Sequence, residues 1–354
     1  MDRIYNLDYL RGLAAFGIMI YHYLTWTYGK YSAESFLGKF GIYGVSIFYI
    51  LSGLTLYYVY YNRMSFTRDD IFSFFRKRIF RIFPLLWLVT ILAIVLSRNI
   101  PNFYDLFLNL SGLFGFLKWD TYFSTGAWSI GNELVFYTFL PIFILLSKSY
   151  KSMMIVLSIS IFSLYVYFAF FLLNEELPLR EQWKNYVNPL NQIFLFLIGF
   201  LIGLFLDKVK LNNTLLSIGL VASILIFILY PVSGDSINIV TGFNRLGLTA
   251  CCLLMCASIY KLAIELPSFI HKPLVIIGET SYSIYLLHPL VYSGVGIIIT
   301  LINAKFFKIE VPTFIKVSLS IAITLLLSYF VYRYYERYFL RFGRQKTTHK
   351  TSIK

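Results

Sequence analysis

Arg11 and His22 stand eleven residues apart in the apolar stretch LDYLRGLAAFGIMIYHY, and hydrocarbon tolerates neither side chain well. On a helix turning about 100° per residue, eleven positions overshoot three turns by about 20°, so both side chains leave one face about 16 Å apart along the axis. A guanidinium at mid-membrane costs roughly 2.5–3.5 kcal/mol on insertion scales, so that face is expected to line protein or water. The alternative places both residues at headgroup depth near opposite helix ends, with Tyr21, His22 and Tyr23 in an interfacial belt.

Glu133, in GAWSIGNELVFYTFLP, is a second ionisable group inside an apolar run, and a carboxylate there needs a partner. If the first helix and this one run in opposite directions, His22 and Glu133 share one half of the membrane. A carboxylate beside an imidazole is the arrangement that orients a general base, although a structural pairing of Glu133 with another residue fits the sequence too. In FFRKRIFRIFPLLW, Arg76, Lys77, Arg78 and Arg81 crowd the start of an apolar run. Arg78 and Arg81, three apart, lie on neighbouring parts of one face and suit phosphate oxygens; anchoring at the membrane surface explains the same run. In GETSYSIYLLHPL, Ser281, Tyr285 and His288 occupy positions i, i+4 and i+7, within about 60° of one face, either lining a site or tying helices together. Ser46 and Gly53, seven apart in GIYGVSIFYILSGLTL, share a face that permits close helix approach. Glu336, in YYER, is expected to form a surface ion pair with its basic neighbours. Cys251, Cys252 and Cys256 lie in one apolar segment and are expected to serve as small hydrophobes; no metal site is expected.

The elements that must position these groups follow from composition. Of 354 residues, 58% are hydrophobic and 14% charged, with a mean hydropathy of +0.70, which no soluble core can absorb. The fold class expected is an all-α, polytopic membrane bundle of about ten transmembrane helices, near 7–26, 40–61, 79–97, 128–147, 153–173, 189–206, 213–232, 244–263, 281–303 and 313–335. Residues 103–117 are apolar but too short to cross, so they are expected to form a re-entrant or interfacial piece. Arg11 interrupts the N-terminal apolar stretch and no small-residue cleavage site follows, so the first helix is expected to remain uncleaved.

The net charge of +14 does not indicate nucleic acid, because the basic residues fall in short segments between apolar runs and not on a solvated face. With ten crossings, 19 of the 31 Lys and Arg residues fall on the side of the termini and ten opposite, Lys39, Arg245, Lys305, Lys308 and Lys316 among the ten; Arg11 and Arg81 lie within spans. That bias predicts cytoplasmic N- and C-termini in the cell (inner or plasma) membrane. Residues 1–340 read as one membrane domain and 341–354 as a basic cytoplasmic tail drawn to anionic lipid heads.

Six segments in order resemble the acyltransferase-3 family of integral membrane acyltransferases: Arg11-x10-His22, GVSIFYILSG, KRIFRIFP, WSIGNELVFY, SYSIYLLH and YYER. The departures are small: Ser46 stands where many members carry an acidic residue, and Tyr49 where a second Phe is common. Nothing resembling the extracellular hydrolase-like domain of some members follows the tenth helix, so the resemblance implies a stand-alone form. Such forms often O-acetylate bacterial surface polysaccharides such as O-antigen, capsule or exopolysaccharide.

The resemblance further implies acetyl-CoA or another acyl-CoA as donor and a carbohydrate hydroxyl, on a surface polysaccharide or lipid-linked glycan, as acceptor. In this reading His22, oriented by Glu133, is the general base, and Arg11 stabilises developing charge. Lys77, Arg78 and Arg81 hold the CoA phosphates, while Ser52, Trp128, Ser283, Tyr285 and His288 support the substrates. A carrier or exporter of polysaccharide or lipid-linked sugar is the alternative, since polar stripes in ten helices also suit a transport path. Against it, no repeat relates the two halves of the sequence.

Overall fold

The computed structural model describes residues 3–303 and 312–344, and among these there is no strand. The expected tail from 345 onward, and Lys305 and Lys308, lie outside the described residues.

Caps and breakers set the helix limits. α1 (Tyr5–Tyr28) runs through the apolar stretch holding Arg11 and His22. α2 (Phe36–Tyr60) starts where Ser35 Oγ accepts the Gly38 N–H, and α3 (Arg68–Ser97) where Thr67 accepts that of Asp70. The short apolar piece forms α4 (Phe103–Ser111) and α5 (Phe114–Leu117), packed on α3 and α6 (Ala127–Ser149). α7 (Lys151–Tyr167) ends in a π turn, Phe168–Leu172; α8 (Trp183–Tyr186) leads into α9 (Pro189–Leu206), which begins with Pro at its first position. Then follow α10 (Asn213–Leu229), α11 (Gly242–Lys261), α12 (Ser268–Glu279), α13 (Ser281–Ile302) and α14 (Thr313–Phe330). α14 passes through a π turn, Val331–Glu336, into α15 (Arg337–Gly343).

Eight described helices are long and apolar enough to cross a membrane: Phe36–Tyr60, Arg68–Ser97, Ala127–Ser149, Lys151–Leu172, Trp183–Leu206, Gly242–Lys261, Ser281–Ile302 and Thr313–Gly343. The other two segments expected to span are helical as well. α1 has the length, 24 residues, but its polar groups lower its hydropathy; α10 is apolar but has only 17. The final helix runs to Gly343, where a Cβ would lie 3.2 Å from the α-carbon of Lys77 in α3.

α1 is the hub: it packs on α2, α11, α12, α13 and α14. A helix enclosed this way keeps its polar face off lipid, which answers the first question the sequence poses about Arg11. α2 and α9 approach most closely. A Cβ on Gly53 would lie 2.0 Å from the Phe196 carbonyl, and one on Gly199 2.0 Å from that of Ile50, so backbone meets backbone at both points. Cys251, Cys252 and Cys256 are free thiols buried within α11, as small hydrophobes would be.

Two cations expected in loops lie inside the bundle. Lys39 is 1% exposed in the first turn of α2, and its Nζ donates to the carbonyls of Ile228 (2.9 Å) and Tyr230 (2.8 Å) at the end of α10. Arg245 opens α11, donates to Asn191 Oδ1 (2.7 Å) and lies 4.0 Å from the Tyr165 ring centroid. Each caps or bridges other helices, a role that counting charges between spans does not register.

Candidate active site

Three cavities follow one another along α1. The first, about 540 Å³, is basic: Arg3, Arg11, Arg63, Lys77, Arg78, Arg81 and Arg344 line it, with Asp8, Asp70, Glu279 and Glu336. Both ends of the described chain therefore meet at one end of the bundle. The second, about 190 Å³, is central and shares Arg11, Val59, Arg78 and Arg81 with the first; Ser52, Glu133, Tyr137, Tyr282 and Tyr285 complete much of its wall. The third, about 630 Å³, shares Val45 and Tyr285 with the central one and is rich in rings: Tyr21, His22, Trp26, Tyr31, Trp128 and Trp183.

α1 delivers its two polar residues to this path as its periodicity requires. Arg11 donates to Thr55 Oγ1 (2.9 Å) and pairs with Asp8 one turn earlier (3.3 Å). Asp8 also pairs with Arg3 (2.6 Å), which reaches Glu279 (2.6 Å), so a chain of ion pairs runs along the mouth of the basic cavity. Arg81 lines the junction of the basic and central cavities but makes no hydrogen bond or ion pair to any described residue, although the charges of Glu133 and Glu336 reach it. Arg78 sits among the rings of Tyr60 and Tyr137, 5.7 Å from each centroid. A guanidinium held in place by rings, with donors left over, is suited to an anionic ligand.

His22 does not pair with Glu133. Its Nδ1 lies 2.8 Å from Nε2 of His288, and Trp26, one turn further along α1, stacks on it with centroids 5.1 Å apart. Glu133 instead lines the central cavity together with Tyr137, one turn away on α6. The periodicity of α13 brings His288 to the imidazole instead.

The polar residues of α13 divide among three tasks. Ser281 and Tyr285 line the central cavity, His288 supports His22, and Ser283 hydrogen-bonds Glu336. Tyr285 donates to the Gly126 carbonyl (3.1 Å) and lies 2.8 Å from Ser129 Oγ. Gly126 has φ +87° at the start of α6, and a Cβ there would sit 3.1 Å from the Tyr285 ring, so glycine answers both needs. Glu336 is not a surface ion-pair member: it is 6% exposed, because the π turn at the end of α14 rotates it inward onto Ser283 and the basic cavity. Tyr49, where a Phe is common, has its hydroxyl satisfied by the Asn132 amide (3.2 Å). Trp128 lines the aromatic cavity, edge-on to Trp183 at 5.6 Å.

A family described as an acyltransferase domain matches residues 4–333. The chain belongs to the acyltransferase-3 family. Curated relatives named as putative O-acetyltransferases come from Staphylococcus aureus: one from strain COL is 24% identical over 97% of this chain, and one from strain MSSA476 is 24% identical over 96%. The chain spans 58% and 57% of their lengths. No solved structure matches. Within this acyltransferase-3 chain, each of the six segments that carry the resemblance contributes to the cavities or to their immediate supports.

Several wall residues escaped the sequence reading. Asp8 and Trp26 stand one turn from Arg11 and His22, so helical spacing alone could have found them. Thr55, Trp183 and Arg180 carry no such signal, since only packing brings them to the path.

Proposed function

We propose that the protein is a membrane O-acyltransferase moving an acetyl or other short acyl group from acyl-CoA to a hydroxyl of a surface polysaccharide or lipid-linked sugar. The observation that carries the reading is the continuity of three cavities of different chemistry along one face of α1, with Arg11 at one junction and His22 beyond the other. Lys77, Arg78 and Arg81 would hold the CoA phosphates, with Arg81 free to donate. The central cavity, the smallest of the three, would take the thioester arm. Rings around His22 offer flat apolar faces to a sugar, and Arg180 and Asp235 offer polar contacts at the rim.

Chemistry then falls to His22. It takes the proton of the acceptor hydroxyl as that oxygen bonds to the acyl carbonyl carbon, and returns it to the sulfur as the carbon–sulfur bond breaks. Tyr285, which lines both the central and the aromatic cavities, can stabilise the oxyanion formed between the two events, while Arg11, at the far junction, would position the donor. In this reading the basic cavity opens to the cytoplasm, where CoA resides, with both termini on that side and ten crossings of the cell membrane.

Purified protein in detergent should release thiol from acetyl-CoA only when a carbohydrate acceptor is present, and the product should carry a new ester. Binding of the glycan with no thiol release, together with movement of the glycan across proteoliposome membranes, would favour a carrier instead. Comparing surface polysaccharide from cells with and without the protein names the acceptor, since one ester should be missing.

A further inference from the structure

His288 is fully buried, and its ring is held on both nitrogens. Nδ1 lies 3.1 Å from the Ile284 carbonyl, which can only accept, so Nδ1 carries the hydrogen. A neutral imidazole has one N–H, and Nε2 is therefore left with a lone pair. That lone pair points at Nδ1 of His22, 2.8 Å away, which must donate. The two rings lie within 10° of parallel, and Trp26 stacks near both, at 6° to His22 and 14° to His288. Tyr23 fixes the backbone behind them by donating to the His288 carbonyl (2.9 Å).

We propose that His288 is a positioning residue that locks His22 as its Nδ1–H tautomer, so that the bare Nε2 faces the aromatic cavity as proton acceptor. The inference rests on the acyl-transfer reading above. It assigns to an imidazole the orienting task that a carboxylate performs in many acid–base pairs. A neutral ring sets the tautomer without burying a second charge beside the acceptor site, which a carboxylate would do at considerable desolvation cost. Through the transfer, the hydroxyl proton enters and leaves at Nε2 of His22 while the Nδ1–H bond to His288 persists, so no proton needs to reach His288.

Two measurements test this. The first needs no substrate: nitrogen-15 spectra of histidine-labelled protein, with His22→Ala to assign the signals, should show a protonated Nδ1 and an unprotonated Nε2 on His22. The opposite tautomer would overturn the proposal. The second compares His288→Leu, of similar bulk, with His288→Gln, whose side-chain oxygen can still accept from His22, each verified as folded by its thermal transition. Loss of the orienting acceptor should lower kcat about 100-fold in the Leu variant, with KM for donor and acceptor within about twofold. The Gln variant should stay within about tenfold of the parent. Equal impairment of the two variants, or a Leu variant with parental kcat, would overturn it. Parental protein that transfers no acyl group would sink the acyl-transfer reading, and the role of His288 with it; a reversed tautomer in active protein would sink the dyad alone.

Discussion

The basic and aromatic cavities are similar in size, about 540 and 630 Å³, and nearly opposite in chemistry. One gathers seven Lys and Arg side chains around a few carboxylates; the other gathers rings, with Lys30, Arg180 and Asp235 as its charged members. A wall of guanidinium groups recognises charge, acts over several ångströms and weakens with salt. A wall of rings recognises shape and apolar faces, acts only on contact and is indifferent to salt. Two such sites joined by a smaller cavity suit two unlike ligands that meet, better than one ligand that passes through.

A second contrast separates the cations themselves. Lys39 spends its donors on two helix-end carbonyls, and Arg245 is held by Asn191 and the Tyr165 ring, so both act as internal fasteners. Arg81 is only partly buried, has no fixed acceptor among the described residues and opens onto two cavities. In the proposed reading, the cations that bind ligand are those with donors left over toward a cavity, and the fully buried ones are fasteners.

These contrasts can be broken experimentally. His22→Ala should lower the rate of transfer about 1,000-fold while leaving acetyl-CoA binding intact, because the group sits at the aromatic side of the junction; equal loss of donor affinity would contradict the division. Arg81→Gln should raise KM for acetyl-CoA about 10- to 100-fold, the loss expected for a charge-assisted hydrogen bond of about 1.5–3 kcal/mol, and should make that KM less sensitive to salt. Acceptor KM should not move. Trp128→Ala should do the reverse, raising acceptor KM about three- to tenfold, for a ring contact of about 0.5–1.5 kcal/mol, with donor KM unchanged at every salt concentration. Lys39→Met sharpens the second contrast: kinetics should be parental, whereas stability should fall by about 1 kcal/mol, read as an earlier thermal transition, because two helix-end carbonyls lose their donor. A Lys39 variant with normal stability and a raised KM would show that fasteners and binding cations had been confused.

Much of the site was legible because helix geometry is rigid. The shared face of Arg11 and His22 follows from spacing alone, and so does the inward stripe of Ser281, Tyr285 and His288. Where the reading failed, the reason was local and specific. His22 was expected on Glu133, yet which of two candidate partners meets a side chain depends on how helices rotate and shift against one another. Glu336 was expected on the surface because a regular helix would leave it there, and a π turn is not written in residue types. Lys39 and Arg245 were counted as loop charges because a cation at a helix start reads the same whether it faces water or a neighbouring helix end.

The amino-acid sequence by itself determined that this chain is helical and made for a membrane, since its apolar content leaves backbone groups no other way to pair in lipid. It also determined which side chains share a helix face, because a 3.6-residue turn permits little else. Only the tertiary structure decided that His22 rests on His288, that Arg81 is left with donors to offer, and that Trp128 and Trp183 close around the same space. Those outcomes depend on the rotation and depth of helices brought together from distant parts of the chain, and packing sets both.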